Sequence, residues 1–254
     1  MNADRVPQTP GTIVREQIRR SAEGVILFDP GVSPQVDHDW FDPDHWRRHG
    51  MLQAQRGGRG GVAVIDTPAG ECVLRHYRRG GAVAALMGDR YLWTGAARTR
   101  CFAEFRLMQA MVLLQLPVPV PVAVRYRRRG FWYSADLITR RVAHAVTLAE
   151  RMAVDQVSEE LAEEVGSLIA RFHRQGVWHA DLNAHNVLIA PDGVYLIDFD
   201  RGRLRRDAAG WRLANLQRLR RSLIKLGAAD GGMPGFEQAL WMPLLRGYER
   251  TLGA

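Results

Sequence analysis

The sequence predicts an α+β fold, with a strand-rich N-terminal half and a mostly helical C-terminal half. In the first half, residues 62–66 and 71–77 lie on either side of a turn sequence and predict a pair of strands. In the second half, apolar residues between 161 and 172 recur at helical spacing. Two acidic loops, containing Asp181 and Asp198, follow this helix and flank short apolar strands. Together these observations predict two lobes with the acidic loops at one edge of a cleft.

Length and composition fit this organisation. The 254 residues are enough for two lobes, which we predict to span residues 1–138 and 139–254. Hydrophobic residues make up 46% and charged residues 24%, as in soluble globular proteins. No apolar run approaches the roughly 20 residues of a membrane span, and the N-terminus lacks a signal sequence pattern. Cys72 and Cys101 are far apart in the chain, which predicts buried thiols in a reduced cytosolic setting.

The net charge of +8 comes almost entirely from arginine, since Lys225 is the only lysine. Between residues 201 and 225 there are nine basic side chains and one acid, Asp207. This stretch directly follows the second acidic loop, where an anionic substrate would arrive. A solvated basic helix is the alternative interpretation. No nucleic-acid-binding motif accompanies the charge, so nucleic acid is not an expected partner.

The order of local signals positions the two acidic loops. Ser158 is a predicted N-cap for the helix, and Gly176 suits the residue just past its last turn. Residues 187–189 and 194–197 then predict a hairpin around a Pro-Asp-Gly turn. Helix, loop, hairpin and second loop in this order bring both carboxylates to one side.

The strongest functional pattern reads H-x-D-L-x-x-x-N and then D-F-x, and it provides Asp181, Asn186 and Asp198. Two carboxylates and an amide with this spacing can orient a hydroxyl and hold Mg²⁺ beside the triphosphate of ATP. Kinases carry their catalytic and metal loops in this form. Turn capping is the alternative for Asp181 and Asn186 alone. Because Asp198 follows at the expected position, a catalytic role for Asp181 and Asn186 is favoured over turn capping.

A glycine-rich stretch precedes the first strand of the predicted pair. Gly57, Gly58, Gly60 and Gly61 let the backbone approach phosphates closely and supply unhindered amide donors. Glycine and arginine clusters are also common in ordinary turns, so this stretch alone is weak evidence.

A predicted ion pair would fix a cation over the phosphates. Arg75 shares a strand face with Val73 and Tyr77, at the position where kinases usually have lysine. Residues 99–114 predict a helix on which Glu104 turns toward the apolar side. A buried carboxylate must be paired, and Arg75 is its natural partner. In the alternative, Glu104 reaches solvent at the edge of the stripe.

Residues 116–124 are proline-rich and predict an extended segment entering a strand. Residues 127–130 predict a turn, and residues 131–138 predict the last strand before the helical lobe.

Two further patterns have competing interpretations. His45 and His49, near several aspartates, suggest a metal site, but an exposed loop leading into a short helix is favoured. Three aromatic residues there either stack on a substrate or anchor the loop: Trp40, Phe41 and Trp46. The apolar stripe on residues 211–226, with basic residues around it, either lies on an anionic membrane or packs inside the lobe, and packing is favoured.

The chain resembles the 3-deoxy-D-manno-octulosonic acid (Kdo) kinases, a family of kinase-like lipopolysaccharide core enzymes. The resemblance covers about residues 50–226, most of the chain. It is carried by residues 74–81 (LRHYRRGG), 90–95 (RYLWTG), 116–119 (LPVP), 135–139 (ADLIT), 179–186 (HADLNAHN) and 197–202 (IDFDRG).

The resemblance implies a bilobal protein-kinase-like fold, with a small β-rich lobe carrying one main helix and a mostly helical second lobe. It also implies ATP-dependent phosphorylation of the 4-hydroxyl of a Kdo residue on a lipid A precursor. The enzyme would act peripherally at the anionic cytoplasmic face of the bacterial inner membrane. Another small-molecule kinase, acting on a heptose or an aminoglycoside, is the alternative, and a catalytically idle nucleotide-binding scaffold is a further one.

The family motifs also imply individual roles. Asp181 would align the acceptor hydroxyl and receive its proton, while Asn186 and Asp198 would bind Mg²⁺. Arg75, held by Glu104, would contact the nucleotide phosphates beneath the glycine-rich loop.

Departures from the protein-kinase pattern indicate a non-protein acceptor. Ala180 replaces an arginine, Asp200 replaces the metal-loop glycine, and Trp211 begins a new helix without an A-P-E motif. We expect four nearby arginines to bind the carboxylate and phosphates of an acidic glycolipid: Arg201, Arg203, Arg205 and Arg206.

Overall fold

The computed structural model describes residues 16–56, 61–78, 89–206 and 209–254. Within these ranges an antiparallel eight-stranded sheet dominates the N-terminal half. Its strands are β1 (Gln17–Ser21), β2 (Gly24–Phe28), β3 (Leu52–Arg56), β4 (Val62–Thr67), β5 (Gly70–His76), β6 (Tyr91–Leu92), β7 (Pro121–Arg129) and β8 (Trp132–Arg140). The order is β1-β2-β7-β8-β5-β4-β3, and β6 pairs with the beginning of β8.

The predicted strand pair before residue 77 is confirmed as β4 and β5. Their turn ends at Gly70, whose φ of +98° lies in the region that favours glycine. The predicted turn at residues 127–130 is wrong in extent. Arg127, Arg128 and Arg129 continue β7, because backbone pairing with β8 holds them while their long side chains stay in solvent. The reversal is made by Gly130, with a φ of +60°, and the residue that follows it.

Different elements cover the two faces of the sheet. Helix α2 (Arg100–Leu113) packs on one face through buried residues such as Phe102, Phe105 and Met108. The other face is covered by a 3₁₀ turn at His38–Phe41 and by helix α1 (Pro43–Arg48).

The aromatic anchors under this second cover are buried in a core of their own. Trp40, Phe41 and Trp46 pack against sheet residues such as Ile65 and Ile138, and the Trp46 indole donates to the Trp40 carbonyl at 2.8 Å. The anchoring interpretation of these aromatics is confirmed.

The rings of His45 and His49 lie 4.4 Å apart. Within the described ranges, no group of three or more His, Cys, Asp or Glu side chains is arranged to hold a metal ion.

The C-terminal half is mostly helical. Its helices are α3 (Leu148–Ala153), α4 (Glu159–Arg174), α5 (Ala209–Lys225), α6 (Met233–Phe236) and α7 (Met242–Gly253), with a π-helical turn at Glu237–Trp241. Its short strands are β9 (Val146–Thr147), β10 (Val177–Trp178), β11 (Val187–Ala190), β12 (Gly193–Leu196) and β13 (Arg203–Leu204). Strands β12, β11 and β9 form one small sheet, and β10 pairs with β13.

Both predicted ends of α4 are confirmed. The Ser158 hydroxyl accepts from the Leu161 amide at 3.2 Å, which caps the helix. Gly176 has a φ of +71°, and a Cβ there would lie 2.5 Å from the Arg205 carbonyl oxygen. Only glycine therefore fits where the chain turns into the first acidic loop.

Helices α4 and α7 touch backbone to backbone at two glycines. A Cβ on Gly166 would lie 1.9 Å from the Leu244 carbonyl oxygen, and one on Gly247 would lie 2.0 Å from the Glu163 carbonyl oxygen. The Ser167 hydroxyl also donates to the Gly247 carbonyl at 3.1 Å. This contact fixes the C-terminal helix against the helix that leads into the site.

Helix α5 packs its stripe inward, as favoured from the sequence. Four of its apolar residues are buried: Trp211, Leu216, Leu219 and Leu223. Leu213 and Leu226 are instead 56% and 40% exposed. The predicted lobe boundary after Ile138 falls inside β8 and stays a prediction.

Candidate active site

The first acidic loop is closed by its own amides. The Asn186 side chain donates to the Asp181 carbonyl at 2.9 Å, and the Asn183 side chain donates to the same carbonyl at 3.0 Å. Asn183 also caps the 3₁₀ turn at Ala184–Asn186 by accepting from the His185 amide at 2.9 Å. These bonds use backbone oxygens, so the Asp181 carboxylate stays at the surface with its side chain 51% exposed.

A guanidinium from α5 reaches the Asp181 carboxylate. Arg218 Nη1 lies 2.7 Å from Asp181 Oδ1, and the Arg218 side chain is 48% exposed. Asn183 Nδ2 contacts the other carboxylate oxygen at 3.2 Å. In the sequence, Arg218 is one of the basic residues around the apolar stripe of residues 211–226, and this contact was not predicted.

Neutral hydrogen bonds hold the loop from below. His179 Nδ1 accepts from the Asp181 amide at 3.1 Å, so Nε2 carries the proton and donates to the Ile197 carbonyl at 2.9 Å. Asn215 accepts from the His179 amide at 3.2 Å and donates to the His179 carbonyl at 2.9 Å. Burial lowers the pKa of His179, which fits this neutral form.

A second histidine completes this neutral cluster, which comprises His173, His179, Asn215 and Tyr248. His173 Nδ1 lies 2.9 Å from the Tyr248 hydroxyl, and burial lowers its pKa to about 4. The two hydrogen bonds from Asn215 to the His179 backbone were not predicted. The position of Asn215 four residues after Trp211 and four before Leu219, within the apolar stripe, is the signal that would have found it.

The second acidic loop is joined directly to the first. The Ile197 amide donates to the Asn186 carbonyl at 3.0 Å, so the two loops run side by side. Asp198 has a φ of +63°, in the left-handed region that is uncommon for residues other than glycine. Its side chain is 40% exposed. Held in this unusual conformation, the carboxylate faces the N-terminal sheet.

The ionic cluster, which comprises Arg75, Tyr77, Glu104 and Asp198, links the two halves of the chain. Arg75 Nη2 lies 2.6 Å from Glu104 Oε1, and Arg75 Nη1 binds Asp198. The Tyr77 hydroxyl donates to the other Glu104 oxygen. The predicted pairing of Arg75 with Glu104 is therefore confirmed, whereas the contributions of Tyr77 and Asp198 to it were not predicted.

Burial sets the electrostatics of this cluster. The Glu104 side chain is 1% exposed, and burial raises its pKa to about 6, against the opposing effect of Arg75. Arg75 also lies over the Tyr77 ring, with its guanidinium carbon 4.8 Å from the centroid. The cluster thus holds a partly exposed cation near the end of an interior strand of the sheet.

Asp200 turns away from this cation and pairs with Arg100 at 2.8 Å. Burial raises the Asp200 pKa, and its Oδ1 is a buried atom with no hydrogen-bond partner in the described structure. Arg100 is the first residue of α2, so this pair ties the second acidic loop to the helix that carries Glu104.

Carboxylate and amide oxygens are suitable ligands for a hard cation such as Mg²⁺. Asn186 donates its nitrogen to the Asp181 carbonyl, so the amide oxygen is the atom with which this side chain would coordinate a cation. Asp198 adds a partly exposed carboxylate on the adjoining loop. Mg²⁺ usually takes one or two protein ligands besides water and phosphate oxygens, so this donor set fits.

Most of the glycine-rich stretch lies outside the described residues, namely Gly57, Gly58 and Gly60. Gly61 is described and half-buried, and it directly precedes β4. The first residue of β4, Val62, pairs with Arg75. The chain therefore leaves this stretch one strand away from the ionic cluster.

Two of the four arginines assigned to an acidic ligand have another contact. The guanidinium carbons of Arg203 and Arg205 lie 5.5 and 4.0 Å from the centre of the Trp178 ring. Both therefore cover β10, and Arg218 is the arginine that contacts the Asp181 carboxylate.

An antiparallel sheet crossed by one helix, joined through polar loops to a helical half, is the architecture of kinase-like phosphotransferases. A family model described as "Lipopolysaccharide kinase (Kdo/WaaP) family" matches residues 43–248. The chain belongs to this family. Its fold is therefore the kinase-like α+β fold predicted from the sequence, and the protein is a kinase of the lipopolysaccharide-related class.

Curated relatives agree with this family. The chain is 50% identical over 204 residues to a 3-deoxy-D-manno-octulosonic acid kinase of Stenotrophomonas maltophilia strain R551-3, covering 80% of this chain and 81% of that protein. It is 48% identical over 212 residues to the protein of the same name from Xanthomonas oryzae pv. oryzae, covering 82% and 84%. The solved structure "WaaP in complex with acyl carrier protein" shares 19% identity, with a TM-score of 0.49, over 78% of this chain and 79% of that one.

Proposed function

We propose that this protein transfers the γ-phosphoryl group of ATP to the 4-hydroxyl of a Kdo residue on a lipid A precursor. The observation that carries the proposal is the Arg75 guanidinium, which binds both Glu104 and Asp198. A cation fixed beside a metal-loop carboxylate is what a nucleoside triphosphate with Mg²⁺ requires. The names of the relatives at about half identity support Kdo as the acceptor sugar.

On the nucleotide side, Arg75 contacts the phosphates and Glu104 holds it in place. Asn186 and Asp198 are the residues that would hold Mg²⁺. When bound, the cation neutralises charge on the phosphates. Gly61, which directly precedes β4, is the one residue of the glycine-rich stretch that the described ranges include.

On the acceptor side, Asp181 orients the sugar hydroxyl and accepts its proton as the new O–P bond forms. Asp181 suits this role because its carboxylate is half-exposed on a loop whose backbone is anchored at three points. Arg218, which contacts this carboxylate, is the cation placed to bind the carboxylate of Kdo. The carboxylate and the 4-hydroxyl are substituents of the same sugar ring, so the neighbouring side chains of Arg218 and Asp181 can bind one each.

The segment after the second acidic loop supports a non-protein acceptor. Helix α5 begins at Ala209, so few residues separate it from Asp200, and β13 lies within that interval. A peptide-docking segment needs a longer chain. No helix among the described residues is long and apolar enough to cross a membrane. In the proposed function the enzyme acts peripherally at the cytoplasmic face of the inner membrane, where a lipid acceptor is presented.

The deciding experiment incubates the full chain with labelled ATP, Mg²⁺ and Kdo-bearing lipid A precursor in detergent. A mass increase of one phosphate on the lipid, mapped to the 4-hydroxyl, is expected. Phosphate on another hydroxyl would refute the regiochemistry alone. Transfer to a heptose or an aminoglycoside, but not to the Kdo lipid, would favour the alternative kinase.

A further inference from the structure

The β7–β8 turn carries an unusual exposed surface, which we call the basic hairpin tip: Arg127, Arg128, Arg129, Gly130 and Phe131. The first six residues of β7 are buried and its three final arginines are exposed. Phe131 follows the turn and is 79% exposed, the highest value among the exposed large hydrophobic residues of the described structure. The tip thus combines positive charge with an aromatic ring in water.

A second exposed apolar residue lies on the short strand that pairs with the beginning of β8. Leu92, which pairs with Trp132 across β6 and β8, is 56% exposed. The Trp93 amide donates to the Phe131 carbonyl at 2.8 Å, so the two short segments are held together. Single exposed apolar side chains are ordinary on protein surfaces, but adjacent ones bordered by arginines mark an interaction surface.

The chemistry of the tip fits an anionic phospholipid bilayer. Aromatic rings favour the interfacial region of a membrane, and each nearby arginine is attracted to anionic headgroups. Between Arg125 and Phe131 there are three arginines and no acid. One acidic residue, Glu23, lies near these arginines, in the turn between β1 and β2. Its neighbour Gly24 lies next to Arg127 on the adjoining strand β7.

The tip is connected rigidly to the candidate active site. Tyr133, two residues after Phe131, is buried, and its hydroxyl accepts from the Arg100 amide at 3.0 Å. Arg100 in turn pairs with Asp200, two residues from Asp198. A membrane bound at the tip would therefore be held in a defined position relative to the second acidic loop.

We propose that the basic hairpin tip docks the protein on anionic bilayers, with Phe131 inserted at the headgroup level. This proposal rests on the proposed function, because a lipid-borne acceptor is what makes such docking useful. It predicts that Phe131 and the flanking arginines contribute by different physics. Salt weakens the arginine contribution and leaves that of Phe131 nearly unchanged.

The test is co-sedimentation of the full chain with vesicles of phosphatidylcholine, with and without phosphatidylglycerol. Wild type is expected to bind the anionic vesicles selectively. Phe131→Ser should weaken that binding about tenfold to a hundredfold. The double change Arg127→Gln with Arg129→Gln should weaken it about thirtyfold at low salt and by less at high salt. Leu213→Ser, an exposed leucine on the rival basic surface of α5, is the matched control and should bind as wild type does.

Two further measurements separate the possible failures. Each variant should keep the thermal midpoint of wild type and its rate of transfer to a detergent-dispersed acceptor. If Phe131→Ser transfers phosphate normally and binds vesicles as wild type does, the docking proposal is overturned and the kinase proposal stands. The same holds if only Leu213→Ser loses vesicle binding. Selective vesicle binding without transfer to the Kdo lipid would do the reverse. Binding to duplex DNA but not to vesicles would also overturn docking.

Discussion

The two buried clusters beside the site hold their loops by different means. The ionic cluster joins the sheet to the second acidic loop through charges, and its cation stays partly exposed. The neutral cluster fixes the first acidic loop through directed hydrogen bonds among buried groups. A charge pair can exchange partners when a phosphate or a cation arrives, whereas directed bonds keep one geometry. In the proposed function, the ionic cluster on the nucleotide side can therefore change partners, whereas the first acidic loop keeps one conformation.

The largest expected effect tests the fixed side. Asp181→Ala should lower the single-turnover rate at least a thousandfold, because the acceptor hydroxyl loses the group that orients it and takes its proton. ATP affinity, measured by calorimetry, should stay as in wild type. Asp192→Ala, an exposed carboxylate in the β11–β12 turn, is the control and should keep full activity. A fully active Asp181→Ala protein would refute the catalytic assignment.

The second prediction breaks the adaptable side. Arg75→Ala should raise the KM for ATP about a hundredfold, since a cation aimed at the phosphates is lost. It should also lower the free energy of unfolding by about 3 kcal/mol, because the buried Glu104 carboxylate loses its cation. The double variant Arg75→Ala with Glu104→Gln separates these effects, since it should regain stability but not ATP affinity. An unchanged KM would move the phosphate contact elsewhere.

Arg218 gives the third test, at the boundary between loop and acceptor. Arg218→Ala should raise the KM for the Kdo acceptor about thirtyfold while leaving the KM for ATP unchanged, because a charge-assisted bond to the sugar carboxylate is lost. Arg221→Ala, an exposed arginine on the same helix, should change neither constant. If both substitutions raise the KM for the acceptor equally, Arg218 contributes only to the overall positive charge of the helix and does not bind the sugar carboxylate directly.

The fourth prediction loosens the neutral cluster. Asn215→Leu removes two hydrogen bonds to the His179 backbone and should cost about 2 kcal/mol of stability. The kcat should fall about tenfold at unchanged KM for ATP, since only the catalytic loop shifts. Gln217→Leu, on the exposed side of α5, is the control. A change in KM alone would contradict the division of labour between the clusters.

The fifth prediction concerns the pH dependence of stability. Burial lowers the His173 pKa from 6.5 to about 4, so between these values the unfolded chain binds a proton that the folded chain excludes. Stability contributed by the neutral form is therefore lost as the pH falls through this window. Denaturant titrations should show about 2 kcal/mol less stability at pH 5 than at pH 7 from this group. His173→Gln should flatten that slope, and an unchanged slope would exclude His173 as its source.

The sequence predicted the parts of this site that follow from local periodicity. Arg75 and Glu104 were paired correctly because strand and helix patterns each identified the face on which the side chain lies. Ser158 and Gly176 were recognised because caps have short-range residue preferences. The proximity of Asp198 to the first acidic loop followed from the order of helix, loop and hairpin.

Contacts made across long sequence distances were not predictable in the same way. The apolar stripe of α5 indicates that Asn215 is buried, but no local pattern indicates that Asn215 and Arg218 meet the first acidic loop, which they do only because α5 packs against it. The stacking of Arg203 and Arg205 on Trp178 depends on the pairing of β10 with β13. Charge runs in sequence indicate where cations are, but tertiary contacts decide which of them face the ligand.

The reciprocal approach of Gly166 and Gly247 couples helix α7 to the helix that precedes the first acidic loop. Neither position has space for even a methyl group, because each Cβ would fall about 2 Å from a carbonyl oxygen of the opposite helix. An alanine at Gly166 would have to separate the two helices, and α4 transmits any tilt to the loop that starts after Gly176. Helix α7, although remote in sequence from the first acidic loop, therefore supports the helix from which that loop starts.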